Sequence, residues 1–293
     1  MRGRKSVFLP MILVNITRCH LRDVTPNHIV GAIHGIRRST IENISREAMR
    51  DVITENLRQV QKRIDDAAIR VGRDPGEITL VAVTKKVDVV QAAILFENGV
   101  THLGENRPQE MWQKAANLPD QVHWHMIGHL QRNKVSRTLE CAELIHSVDS
   151  PRLLRTIEKE ADKRDRTVQV LLQVNVSGEE SKSGWDPQNL LNEGPEIMEV
   201  RRVQIAGLMG MAAWVDDVAE VRSSFRLLRQ LRDELHTAMG HKESMNYLSM
   251  GMTNDFEIAV EEGATHLRIG SALFRGLASR NDKVATGERE TPD

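Results

Sequence analysis

Three short stretches of this 293-residue chain hold residue types that could do chemistry together. Val83-Thr84-Lys85-Lys86 ends an apolar run on two amines, and a lysine amine can condense with an aldehyde to form an imine. Ser249-Met250-Gly251-Met252-Thr253-Asn254 and Arg268-Ile269-Gly270-Ser271 place glycines and hydroxyls where apolar runs give way to polar sequence. Such turns offer backbone N–H groups, the usual means of holding a phosphate. An amine and a phosphate cup at one end of a fold would suit a phosphorylated aldehyde.

The elements that must position these stretches alternate. After an amphipathic helix, signalled by the capping-box spacing Ser39-Thr40-Ile41-Glu42 and ended by Gly72, apolar runs of strand length recur between helical patterns. The strands read as Ile78–Val83, His102–Asn106, His123–Gly128, Leu144–Val148, Val168–Val176, Gln204–Met211, Tyr247–Met250 and His266–Ile269. Helices are expected over Val89–Asn98, Pro108–Asn117, Leu130–Cys141, Pro151–Arg164, Pro187–Val200, Val218–Met239 and Asn254–Glu262, with a short one from Ala272. Eight strand–helix units imply an α/β fold, a closed parallel (β/α)8 TIM barrel with one additional N-terminal helix. An open doubly wound sheet is the rival, but no G-x-G-x-x-G follows the first strand.

In such a barrel the reactive end lies at the C-terminal ends of the strands, and phosphates bind after strands seven and eight. Those loops hold Ser249, Met250 and Gly251, then Gly270 and Ser271. Either glycine alone reads as a plain turn residue; two in this pair of loops, each beside a serine, favour phosphate. Lys85 ends the first strand, although periodicity does not choose between it and Lys86. Arg268 interrupts the apolar last strand, and a buried arginine needs an acceptor. That acceptor would be a carboxylate such as Glu105, or a ring nitrogen of a ligand. His123, His125 and His129 lack metal-site spacing and read as packing histidines. Met209, Met211, Met250 and Met252 read as barrel filling, and Lys182 as a solvated loop charge.

Composition excludes other classes. A net charge of −1 and 3% aromatic residues argue against a nucleic-acid binder. No run reaches the ~20 apolar residues of a membrane span. Two cysteines, Cys19 and Cys141, make neither a disulfide framework nor a metal cluster, and a reducing cytoplasm is the expected location. Residues 1–40, basic with a short apolar run, are expected to be a poorly ordered extension or sequence upstream of the true start, with Met49 as an internal start. A targeting segment is the alternative. The barrel is expected over 41–277, and 278–293 as a loose polar tail.

The blocks Val83-Thr84-Lys85, Gly104-Glu105-Asn106, His125-Met126-Ile127-Gly128-His129-Leu130-Gln131-Arg132-Asn133-Lys134, Ser181-Lys182-Ser183-Gly184, Gly207-Leu208-Met209, Leu248-Ser249-Met250-Gly251-Met252 and Arg268-Ile269-Gly270-Ser271 resemble the signature of the pyridoxal phosphate homeostasis proteins. These are also similar to the N-terminal barrel of alanine racemase. The resemblance runs from about Ile41 to Gly276. It implies a fold-type III barrel that holds pyridoxal 5′-phosphate (PLP). In it Lys85 matches the imine-forming lysine, and Asn106 the asparagine beside the cofactor ring. Ser249, Met250, Gly251, Gly270 and Ser271 match the phosphate cup, and Arg268 the arginine near the pyridine nitrogen. Arg107 and Val87 depart from the family, which often has tyrosine and a second lysine there; both departures touch cofactor exchange or ring stacking.

A racemase needs a second acid or base across the cofactor, a tyrosine that alanine racemases take from a further β-domain. This chain has no such domain after Gly276, and its one tyrosine, Tyr247, starts strand seven. The expected role is therefore a carrier and buffer of PLP that supports vitamin B6 and amino-acid homeostasis without strong catalysis. It would act as a monomer and hand the cofactor transiently to PLP-dependent apo-enzymes. The rivals are a racemase-like PLP enzyme of unknown substrate and a Schiff-base aldolase acting on a sugar phosphate.

Overall fold

The computed structural model describes residues 26–179, 183–197, 200–238 and 245–277, with side chains from residue 45 onward apart from 194–196. The expectations for residues 1–25, Ser181, Lys182 and the tail 278–293 lie outside them. Helix α1 is Pro26–Arg70. Proline suits a first helical position, because its φ is pre-set and its missing N–H would lack a partner there anyway. The capping-box residues Ser39–Glu42 thus fall inside this helix and do not start it. Residues 26–45 belong to a separate unit, and the described residues from Arg46 onward form the other.

That second unit is a closed barrel of eight parallel strands in sequence order. They are β1 (Thr79–Val83), β2 (His102–Glu105), β3 (His123–Met126), β4 (Ala142–Val148), β5 (Val168–Val174), β6 (Val203–Gly210), β7 (Tyr247–Ser249) and β8 (His266–Ile269). The helices between them are α2 (Val89–Glu97), α3 (Pro108–Ala115), α4 (Val135–Thr138), α5 (Pro151–Asp162), α6 (Pro187–Ile197), α7 (Val218–Ala238) and α8 (Phe256–Glu261). Closure comes from β1 pairing with β8, Val81 opposite Arg268.

Local chemistry sets the boundaries. Asp88 and Gln91 form a reciprocal capping box at the start of α2, and Ser150 caps α5 before Pro151. Helix α5 keeps Leu153, Leu154, Ile157 and Ala161 on its buried stripe, and α7 buries Val221, Phe225, Leu228, Leu231 and Leu235. Each such Leu or Phe contributes about 1.5–3 kcal/mol on burial. Two expected helices are shorter than their patterns. Leu130–Cys141 gives one 3-10 turn, Arg132–Lys134, and the single-turn α4. Beyond β8 the described chain makes turns and no helix.

The main core lies between strands and helices, whereas only Leu144, Leu171, Ala206 and Met209 form an apolar cluster of their own, against Tyr247. The loops after β2 and β3 touch closely: a Cβ added at Gly128 would lie 2.2 Å from the Asn106 carbonyl oxygen. Gly128→Ala is therefore expected to lower stability by about 1–3 kcal/mol. A urea unfolding midpoint equal to wild type would show that this backbone contact is not tight.

Candidate functional site

The chain immediately before Lys85 is clamped. Thr84 donates its N–H to Gly104 O at 2.9 Å and its hydroxyl to Glu105 Oε1 at 2.6 Å. From α3, Lys114 Nζ reaches in to donate to Thr84 O at 2.7 Å and to Glu105 Oε1 at 2.5 Å. Lys114 is 2% and Glu105 0% exposed. Two charges so deeply buried hold only if they meet each other and the remaining polar atoms are satisfied. Thr84 O also accepts the Val87 N–H at 3.1 Å, closing a turn with Lys85 and Lys86 at its corners, both exposed.

Glu105 was the carboxylate expected to face Arg268, and it does not. Alternation along β2 turns Gly104 inward, against Val81, and Glu105 outward to α3. Arg268, 5% exposed, instead donates from Nη1 to Ser249 Oγ at 2.6 Å and from Nη2 to Gly210 O at 2.9 Å. Both acceptors are neutral. Burial pushes the guanidinium down to about 10, with the Asp255 charge opposing, so it remains charged at neutral pH.

Ser249 is fully buried, and its Oγ sits between Arg268 and His146 Nδ1, 2.8 Å away. Its hydroxyl thus faces the barrel interior. Beyond His146 the interior holds His125, His102 and His266, three residues on the inward faces of β2, β3 and β8. Burial is the main force holding His125 and His146 far below the usual histidine range, and it pushes His266 down to about 4. Tyr247 packs on His266 at 4.5 Å, at the N-terminal end of the barrel.

The paired loops after β7 and β8 lie at the opposite end. Met250 is buried in the outer core. Gly251 has φ +90, and a Cβ there would fall 2.6 Å from that of Ala259, so the loop lies down on α8 only because this residue is glycine. Gly251 O accepts the Arg268 N–H at 3.0 Å, and Met252 N–H donates to Asp255 Oδ1 at 2.5 Å. Ser271 Oγ donates to Thr253 Oγ1 at 3.1 Å, joining the two loops. Helix α8 starts at Phe256, later than the Asn254 expected, and has only six residues. Gly270 is half-buried against Val83, and Asn106 is exposed at the end of β2. His129 is exposed, with Nδ1 3.0 Å from Asp149 Oδ2. Among the described residues no three His, Cys, Asp or Glu side chains are grouped to hold a metal, and no helix is long and apolar enough to cross a membrane.

Sequence reasoning missed Lys114, His102, His146 and His266, and read His125 as a packing residue. The available signal for His266 was its place two residues before Arg268 on β8, on the same face.

This is a parallel barrel of the alanine racemase N-terminal domain class, whose family description matches residues 50–277. An alanine racemase from Clostridium difficile 630 shares that fold at 16% identity and a TM-score of 0.63, over 76% of this chain and 56% of its own. The pyridoxal phosphate homeostasis protein of Aquifex aeolicus is 40% identical over 221 residues, 75% of this chain and 96% of that relative. The protein of the same name from Pseudomonas aeruginosa is 36% identical over 223 residues, 76% and 94% of the two chains. PipY of Synechococcus elongatus PCC7942, solved with PLP bound, is 33% identical with a TM-score of 0.67, covering 76% of this chain and 99% of PipY. The chain belongs to the pyridoxal phosphate homeostasis protein family.

Lys114→Met leaves Glu105 buried without its partner and is expected to cost about 3–5 kcal/mol, while Lys114→Met combined with Glu105→Leu recovers most of that loss. Urea unfolding of both variants checks this; a single variant as stable as wild type would mean the pair does not clamp the strand end.

Proposed function

We propose that this chain binds PLP at the C-terminal mouth of the barrel and carries or buffers it, supporting vitamin B6 and amino-acid homeostasis without strong catalysis of its own. The bound group would supply an aldehyde that condenses reversibly with a primary amine. The residues present fit it. Lys85 offers an exposed amine in the turn after β1, next to the Thr84 clamp. Gly251 and Gly270, with Met250 and the Ser271–Thr253 hydroxyl pair, form a small-residue cradle for the phosphate. Asn106 stands at the rim, one strand over from Lys85. Ser249 acts through Arg268, since its hydroxyl is committed inside the barrel.

Arg268 is the observation that carries the reading. Its guanidinium is anchored on two neutral acceptors and would donate to a ring nitrogen without handing over its proton. A ring nitrogen that stays unprotonated is a poor electron sink, so amino-acid chemistry is not promoted. Tyr247, the one tyrosine, sits at the far end of the barrel and supplies no acid or base at the mouth. Transient transfer to PLP-dependent apo-enzymes, action as a monomer and a cytoplasmic location complete the proposal.

Purified protein is expected to show the visible band of bound PLP. Lys85→Ala should lose that band and bind PLP at least about tenfold more weakly, a loss of roughly 1.4 kcal/mol, whereas Lys86→Ala keeps both. Retention of the band in Lys85→Ala would remove the assignment. Loss of the α-proton of an amino acid in heavy water would favour a racemase-like enzyme.

A further inference from the structure

The barrel interior carries a row of imidazoles that the binding assignment does not use. His102 Nδ1 lies 2.9 Å from His125 Nε2, His125 Nδ1 lies 2.8 Å from His146 Nε2, and His146 Nδ1 lies 2.8 Å from Ser249 Oγ. Arg268 Nη1 donates to that same oxygen at 2.6 Å. Each histidine link joins Nδ1 of one ring to Nε2 of the next. A neutral imidazole donates from one nitrogen and accepts at the other, so the tautomer of one ring dictates the next.

Only two arrangements satisfy the row. In the first, Ser249 donates its hydroxyl to His146 Nδ1, and the Nε2–H groups of His146 and His125 donate onward to His125 and His102. In the second, the Nδ1–H groups of His102, His125 and His146 donate the other way, and Ser249 Oγ accepts from both His146 and Arg268. An oxygen that gives away its own hydrogen is the better acceptor, because hydrogen bonds in series polarise one another. The first arrangement therefore holds the guanidinium more firmly.

The far end of the row opens into a cavity of about 270 Å³ at the N-terminal end of the barrel, lined by His102, His125, Glu143, Tyr247 and His266 among others. We propose that His146 is a positioning residue for Arg268, acting through Ser249, and that His102 and His125 set its tautomer from this cavity, so that acid entering there loosens the guanidinium at the cofactor end. The proposal rests on the assignment of Arg268 to the cofactor's ring nitrogen.

Protonated His102 carries hydrogen on both nitrogens and so imposes the second arrangement. The charged and titratable groups around the row are Glu77 before β1, His123 of β3 stacked on His102 at 4.7 Å, and Glu143 of β4, paired with His123. Tyr247 of β7, His266 and Arg268 of β8, and Asp255 beyond Arg268 complete them. Burial first, then His123, lowers His102, with Glu143 opposing. His125 and His146 are held well below the histidine range, so within the row His102 is protonated first.

The test is imidazole nitrogen NMR of the purified protein from about pH 7.5 to about pH 5, across the histidine range, alongside the visible band of bound PLP. His102→Phe keeps a ring against His123 and removes both nitrogens. In wild type, His125 and His146 should carry hydrogen on the same-named nitrogen and switch together to Nδ1–H on acidification, the PLP band moving with the same midpoint. His102→Phe should abolish the joint switch and the movement of the band. His146→Leu, which has no hydrogen-bonding side-chain atom, should weaken PLP binding roughly fivefold, about one hydrogen bond, and should also lose the pH step. Hydrogens on differently named nitrogens, or a switch or band step unchanged in His102→Phe, would overturn the proposal. Should the protein bind no PLP at all, the binding assignment fails, and the NMR of wild type and His102→Phe alone decides whether the row exists.

Discussion

A guanidinium buried inside a barrel is the constraint that organises this molecule. Arg268 is among the least exposed charged side chains of the described structure, and it meets no carboxylate. Its two anchors are a serine hydroxyl and a strand carbonyl, which satisfy hydrogen-bonding capacity without neutralising charge. Desolvation this deep costs several kcal/mol unless such contacts are well made. The consequences spread outward: Ser249 is buried to serve as an anchor, and His146 is buried to complete Ser249. Barrels of this architecture usually fill their interior with layers of branched apolar residues. Here one apolar cluster inside the barrel has only four buried residues, and His102, His125, His146 and His266 share the interior with it.

The second buried charge is handled differently. Lys114 and Glu105 neutralise each other outside the barrel wall, and their work is mechanical, fixing the backbone at the end of β1. One ion pair thus holds the chain just beyond β1, before Lys85, while a neutral polar row holds Arg268. Separating the two keeps the Glu105 carboxylate on the outer side of the wall, away from Arg268.

Much of this was legible in the sequence. All eight strands could be read from short apolar runs between helical patterns, and β8 begins and ends at the residues expected, His266 and Ile269. Helices were overestimated where loops at the mouth carry helix-forming residues: Leu130–Cys141 collapses to a 3-10 turn and α4, and α8 starts two residues late. Glu105 stood as one of two possible acceptors for Arg268 for a simple reason: a strand buried on both faces gives no clue to which side a residue points. Lys114 was unreadable for another reason. A lysine on a helix looks solvated until the partner nine residues back, across a strand and a turn, is placed beneath it. Family likeness chose Lys85 over Lys86, because both stand exposed in the turn after β1 and the strand pattern ends at Val83.

The likeness to alanine racemase is one of fold, and the difference lies in what stands at the mouth. The only tyrosine of this chain, Tyr247, stands at the N-terminal end of the barrel. A structure of this protein solved after soaking with PLP would test the arrangement most directly. The account predicts Lys85 Nζ joined to the aldehyde carbon, Arg268 within hydrogen-bond distance of the ring nitrogen, and the phosphate between the loops holding Gly251 and Gly270. A cofactor joined to Lys86, or one whose ring nitrogen faces a carboxylate, would contradict it.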